Sequence, residues 1–258
     1  MTLTIALVLL VGGLLAGFLT GLLGVGGGVV MVPLIYEAQL YQGASSKTAF
    51  ITAVATSLAV IVFSGAFAAR IHYRNGSLEL RLLLWTCIGT VIGGVLGSNL
   101  LIAADDRLVR LAFGIFLWVL AAAMFLPPVK PREHAYSARD KAGLVLTGAC
   151  MGLAAAVFGI GGALLVVTAL VLFFGIAIHS AIATATALIV ATALTGASSY
   201  LVLGGANYIN PIAVLLLLPG ALIAARFGIK LAMRLSREKL RYVVVAFQLA
   251  VGARFIFF

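Results

Sequence analysis

The chain has 258 residues, of which 64% are hydrophobic and 9% charged, with a mean hydropathy of +1.23. A water-soluble domain is nearer half apolar and a quarter charged, so 17 basic and 7 acidic side chains exclude a soluble globule of 26.7 kDa and make lipid the solvent for most of the chain. The formal charge of +10 would point to nucleic acid in a soluble protein; in a membrane chain it follows from Lys and Arg collecting on the cytoplasmic side, and nucleic acid is not an expected partner.

A helical span needs roughly 20 residues, which leaves room for about eight to ten segments and no separate soluble domain. Apolar runs fall at 3–23, 29–40, 48–69, 80–103 and 108–127, then at 142–158, 163–178, 181–203, 210–230 and 240–257. The expected fold is an all-α polytopic membrane protein of eight spans, with up to ten helical segments if glycine-broken helices are counted twice. Met1 to Ile5 lacks the basic start of a signal peptide and reads as part of a retained first helix. Cys87 and Cys150 lie in apolar runs with no CxxC or histidine partner, so they read as small buried hydrophobes, and neither metal nor cofactor is expected.

The second set of runs repeats the first. Gly24-Val-Gly-Gly27 matches Gly159-Ile-Gly-Gly162, and Ala55-Thr-Ser-Leu58 matches Ala185-Thr-Ala-Leu188. Gly89, Gly93 and Gly97 match Gly220, Ala224 and Gly228. Residues 1–127 thus form a first transmembrane repeat and 142–258 a second. The polar, proline-bearing stretch 128–141 connects them. The GxxxG-like row at Gly89, Gly93 and Gly97 suits packing within one chain or between two, which leaves the oligomeric state open.

Charge tests how often each repeat crosses. If the chain runs straight through both glycine clusters, the Lys and Arg totals on the two sides are 8 and 9. If it doubles back at each cluster, one side holds only Lys47, Arg107, Arg110 and Arg254, and the other holds the remaining 13. The positive-inside rule prefers the second arrangement. It inverts the repeats relative to one another, with both termini outside and 128–141 in the cytoplasm, an architecture common among secondary transporters.

A glycine cluster inside a membrane helix frees backbone N–H groups and removes the Cβ that would keep a ligand away. N–H groups at a helix start favour anions. Gly26, Gly27 and Gly28 in one half and Gly161 and Gly162 in the other are therefore expected to face each other as a cradle for a small anion. The competing reading of such glycines is close helix packing. Hydroxyls follow each broken pair: Thr52, Thr56 and Ser57, then Thr184, Thr186 and Thr192. They can donate to an oxyanion without adding charge, or bond back to their own helix. Of these, Thr56, Ser57, Thr184 and Thr186 are taken as substrate ligands. His179 at a helix start and Lys47 beside Ser45 and Ser46 are candidates for coupling or gating. All seven acids lie at span ends or in loops, so no midspan carboxylate serves a cation or a proton relay.

The duplicated segments Gly21-Leu-Leu-Gly-Val-Gly-Gly-Gly28 and Gly152 to Gly162, with Ala55 to Leu58 and Pro219-Gly-Ala-Leu-Ile223, resemble the sulfite exporter TauE/SafE family over essentially the whole chain. The resemblance implies a bacterial or archaeal inner-membrane permease that exports sulfite, sulfonates or related sulfur oxyanions. The second cluster has two extra residues before Gly159, and Ala163 stands where the first has Gly28, so the half-sites are expected to contribute unequally. Two other classes compete. A membrane-embedded enzyme would need a nucleophile and base within the spans, where Ser64 and Ser198-Ser199 have no histidine or carboxylate at helical spacing. The other is a transporter of a different small solute or a cation, and a cation or metal would need oxygen-rich carboxylate sites, which the spans lack.

Overall fold

The computed structural model describes residues 3–23, 27–74, 80–123, 125, 138–172, 174, 176, 178–232 and 237–257. Ten α-helices run in chain order: α1 (Leu3–Leu23), α2 (Gly28–Tyr41), α3 (Ser46–Arg74), α4 (Leu80–Ala103), α5 (Asp106–Ala123), α6 (Ala138–Phe158), α7 (Ala163–Leu172), α8 (Ile178–Gly204), α9 (Pro211–Ala232) and α10 (Arg237–Phe257). Among the described residues there is no strand, as expected where only helices and closed barrels satisfy backbone polarity in lipid. Among the described residues, six helices are long and apolar enough to cross a membrane, the first including Ile5–Leu22 and the last Pro211–Gly228.

Most boundaries fall within a few residues of the expected runs. Two differ more. The expected 163–178 segment ends as α7 at Leu172, and α6 begins at Ala138, four residues inside the stretch assigned to the connection. A 3-10 turn at Gly205–Tyr208, unforeseen in the sequence, leads into α9.

Both glycine-broken pairs double back. Gly12 of α1 lies against Leu34 of α2, and Gly27 lies against Ala16, so these helices are antiparallel. Likewise Gly162 abuts Met151 and Ala155, while Gly143 abuts Phe174. Neither α2, with 14 residues, nor α7, with 10, reaches the roughly 20 residues of a full span.

The most extensive helix contacts are α4 with α6 and α1 with α9. Glycines set both. Gly13, Gly17 and Gly21 meet Leu217, Ala221 and Ala225, and Gly89 and Gly93 meet Val145 and Ala149, in each case with backbone against backbone. The matching ascending order makes each pair parallel. The row at Gly89, Gly93 and Gly97 therefore packs within the chain, against α6. At the centre α3 and α8 are antiparallel, with Leu58 at Gly196 and Gly65 at Ile189.

These directions place the ends of α3 and α9 and the starts of α4 and α6 on one face. Arg226 there covers the Phe67 ring at 5.0 Å, and Lys141 covers Trp85 at 5.2 Å. The opposite face carries Lys47, Glu37, Arg110 and Arg254, with an ion pair of 3.0 Å between Arg254 and Glu37. Cys87 is half-buried and Cys150 is exposed on α6, so Cys150 is not the buried hydrophobe its surroundings implied.

Candidate functional site

The two glycine breaks meet inside the bundle. A methyl group on Gly28 would land on the Gly159 carbonyl oxygen and within 2.6 Å of the Ile160 Cα, so backbone touches backbone. Gly159, Gly161 and Gly162 have φ of +66°, +76° and +71°, a left-handed conformation that side chains resist. The chain can turn from α6 into α7 here because these positions are glycine. Gly26 lies outside the described residues, and Gly27 caps α2 with its carbonyl accepting the Val30 and Met31 N–H groups.

The carbonyls at the end of α6 find partners both within the break and across the fold. Ala155 accepts the Gly159 N–H at 2.8 Å, and Ala156 accepts the buried Tyr200 hydroxyl at 2.6 Å. Ser57 donates to the Gly159 carbonyl at 2.9 Å as well as to Val54. Thr192 reaches the Gly161 carbonyl at 3.2 Å while bonding back to Leu188 and Ile189. Ser57 and Thr192 thus pin the second break from the two central helices. At the other end of the break, Gly162 accepts the Leu165 and Val166 N–H groups that open α7. The N–H groups of Gly28 and Val29, and of Ala163 and Leu164, come before these and have no carbonyl ahead of them within their helices.

The remaining hydroxyls differ from one another. Thr56 accepts the Asn210 N–H at 3.0 Å and so ties α3 to the segment entering α9. Thr186 is buried. Thr184 is fully buried, and its hydroxyl has no hydrogen-bond partner. Lys47 is exposed near the start of α3, and His179 is the second residue of α8.

Between the breaks and the Lys47 face lies an aromatic layer. Phe255 packs on Tyr36, Phe50 and Phe113 with centroids 5.3, 6.0 and 4.9 Å apart, and Phe113 and Phe116 pack on Phe158, the residue before Gly159. Above it, Tyr36 shares a 2.9 Å hydrogen bond with Ser46 and accepts one from Arg110 at 3.4 Å. Sequence reasoning missed Tyr36, Tyr200 and Asn210; of these, the Asn210-Pro211 pair is a turn signal readable from the chain.

The ten described helices, the doubled-back breaks and a predominantly apolar exterior define a multi-pass membrane protein. The model of the family described as sulfite exporter TauE/SafE matches residues 9–255, and the chain belongs to that family. It is similar to the probable membrane transporter protein YunE of Bacillus subtilis, 27% identical over 97% of each chain. It is also similar to a probable membrane transporter protein of Haemophilus influenzae, 28% identical over 81% of this chain and 78% of the relative. A third relative is the probable membrane transporter protein MJ0441 of Methanocaldococcus jannaschii, 26% identical over 92% and 90%. The protein is a membrane transporter and not an enzyme.

Proposed function

We propose that the protein is a secondary transporter, working as an exporter, for a small anion of the sulfur oxyanion class such as sulfite or an organosulfonate, by alternating access around the paired breaks. The observation that supports this best is the contact of Gly28 with Gly159 and Ile160 deep in the bundle. Two inverted repeats, 1–127 and 142–258, fit the helix directions: α1 runs with α9, α6 with α4, and α3 against α8.

The polarity of the site suits an anion. Hydroxyls already engage the Gly159 and Gly161 carbonyls, while the helix starts of α2 and α7 present first-turn N–H groups and the positive ends of their dipoles. Gly26, Gly27, Gly28, Gly161 and Gly162 supply these donors, joined by Thr56, Thr184 and Thr186, with Ser57 holding the second break in place. Because the breaks now touch, the anion enters only when they part. Lys47 draws anions to one mouth, the aromatic layer around Phe255 closes the path from that side, and His179 is the candidate for proton coupling.

The face with few cations is assigned to the outside, which puts both termini outside and 128–141 in the cytoplasm of a bacterial or archaeal cell. A negative interior then favours anion export by about 2.3 kcal/mol per charge per 100 mV.

Counterflow in proteoliposomes preloaded with sulfite tests the reading, using a panel of sulfonates, inorganic anions and monovalent cations with and without an imposed potential. Exchange confined to sulfur oxyanions is the expected result. Exchange of cations would overturn it, since the breaks would then have to present carbonyls to the ligand.

A further inference from the structure

Gln248, near the middle of α10, is fully buried, and neither its amide oxygen nor its amide nitrogen has a hydrogen-bond partner. It lies on the buried stripe Val245, Gln248, Gly252 and Phe255, spaced three and four residues apart on one face of the helix. The neighbouring helix α5 buries apolar side chains at this level: Gly252 meets Gly114, Trp118 donates to the Leu249 carbonyl at 3.2 Å, and Leu117 and Ala121 are buried.

Helix direction fixes its depth. Phe255 packs on Tyr36 of α2 and Phe50 of α3, and Gln248 lies seven residues earlier, about 10 Å further into the bundle on nearly the same azimuth. Because α10 runs with α2 and against α3, seven residues of rise bring it level with Val29 and with Ser57. Those are the residues beside Gly28 and the Gly159 carbonyl. Pro33 has no N–H to give the Val29 carbonyl, so α2 lacks that helix hydrogen bond at the same level.

We infer that Gln248 is a substrate ligand, an amide carried by α10 to the depth at which the two glycine breaks meet, and that it selects an anion bearing its own hydrogen-bond donor. The inference rests on the transport reading above. An amide offers N–H donors and a carbonyl acceptor together. The donors suit an oxyanion, but the carbonyl repels one unless the ligand also carries a hydroxyl or amine. A buried amide left without partners is costly, and a ligand of this kind relieves both halves of the cost.

The test uses the purified full chain, a matched pair of anions differing by one hydroxyl, ethanesulfonate and 2-hydroxyethanesulfonate, and the variant Gln248→Met. Two readouts are taken: inhibition of sulfite counterflow and the rise in melting midpoint on adding each anion. The wild type is expected to favour the hydroxylated anion by on the order of tenfold or more in half-effective concentration. Gln248→Met is expected to bring the two anions within about twofold, a pocket that hydrogen-bonds a hydroxyl having lost its discrimination. Its ligand-free melting midpoint should equal or exceed the wild type's, since no protein hydrogen bond is lost. Retained discrimination in the variant, or a clear fall in its ligand-free midpoint, would overturn the assignment by showing an amide that serves the protein alone. If the wild type answers neither to sulfite nor to either sulfonate, the transport reading fails and takes this inference with it.

Discussion

A methyl group at position 28 is the smallest change that forces the two glycine breaks apart. Gly28 is the first residue of α2, and its φ is not positive, so alanine there meets no backbone penalty. The helix-propensity gain of up to about 1 kcal/mol is common to every folded conformation and cancels between them. The new Cβ, however, would land on the Gly159 carbonyl oxygen and 2.6 Å from the Ile160 Cα, against the 3.4 Å of an ordinary contact. Both neighbours are backbone, so the breaks must separate by more than the 0.8 Å between those two distances, because the carbonyl oxygen lies closer still. Overpacking of this kind costs about 1–3 kcal/mol. Even 1–2 kcal/mol borne only by the closed contact raises the population of any conformation with the breaks apart by about 5- to 30-fold. The assay is labelling of Val32→Cys, a fully buried position packed on Gly159, by a membrane-impermeant thiol reagent after Cys87 and Cys150 are replaced by alanine. Gly28→Ala should raise the labelling rate several-fold. Gly65→Ala serves as control, because its methyl would meet only side-chain atoms of Ile189 and Val190 at 3.3 and 3.4 Å. Equal labelling rates in the wild type and Gly28→Ala, or an equal rise in the control, would refute the contact.

Three further outcomes follow from the packing and the hydrogen bonds. Ser57→Ala removes the donor that holds the Gly159 carbonyl and should lower stability by about 1–2 kcal/mol, read as a fall in the melting midpoint; an unchanged midpoint would mean that the tie from α3 does not hold the break. Gly93→Ala puts a methyl onto the Ala149 carbonyl and should cost about 1–3 kcal/mol by wedging α4 from α6, with no change in oligomeric state by size-exclusion chromatography; dissociation of an assembly would show that this row also serves a second chain. Thr184→Val removes a buried hydroxyl that has no partner, so the midpoint should stay level or rise while sulfite counterflow falls, and a normal rate of counterflow would remove Thr184 from the proposed site.

Much of the fold is legible in the chain because the features that shape it are local. Apolar runs give most helix ends to within a few residues, since a span must be apolar along its whole length and ends where charge or glycine begins. The doubling back of both broken pairs is readable at longer range, because the sorting of Lys and Arg makes sense only if α2 and α7 return toward the face they left. The site is less legible. Ser57 and Gly159 are 102 residues apart, and no spacing rule announces that one pins the other. Thr56 looks like a match for Thr186, yet its hydroxyl accepts the N–H of Asn210, beyond a 3-10 turn that the run 181–203 did not foretell. Gln248 is a lone polar residue between Tyr242 and Arg254, but its depth depends on where Phe255 of the same helix meets Tyr36 and Phe50.

Glycine has two uses here, and they divide the molecule differently from the repeat. At Gly159, Gly161 and Gly162 it permits a left-handed turn, and the residues come clustered. In α1 and α4 it keeps helical backbone and lets another helix approach, and there the residues recur every four, as at Gly13, Gly17 and Gly21. The second kind binds α1 to α9 and α4 to α6, each joining a helix of residues 1–127 to one of 142–258. Backbone packed this closely does not slide, because each glycine sits opposite a particular residue of its partner. If the breaks part during transport, the bodies that move are these cross-linked pairs and whatever they carry, not the first repeat against the second. On the transport reading proposed above, the duplication in the sequence would mark where two half-sites face each other, and the glycine rows would mark which helices travel together when they separate.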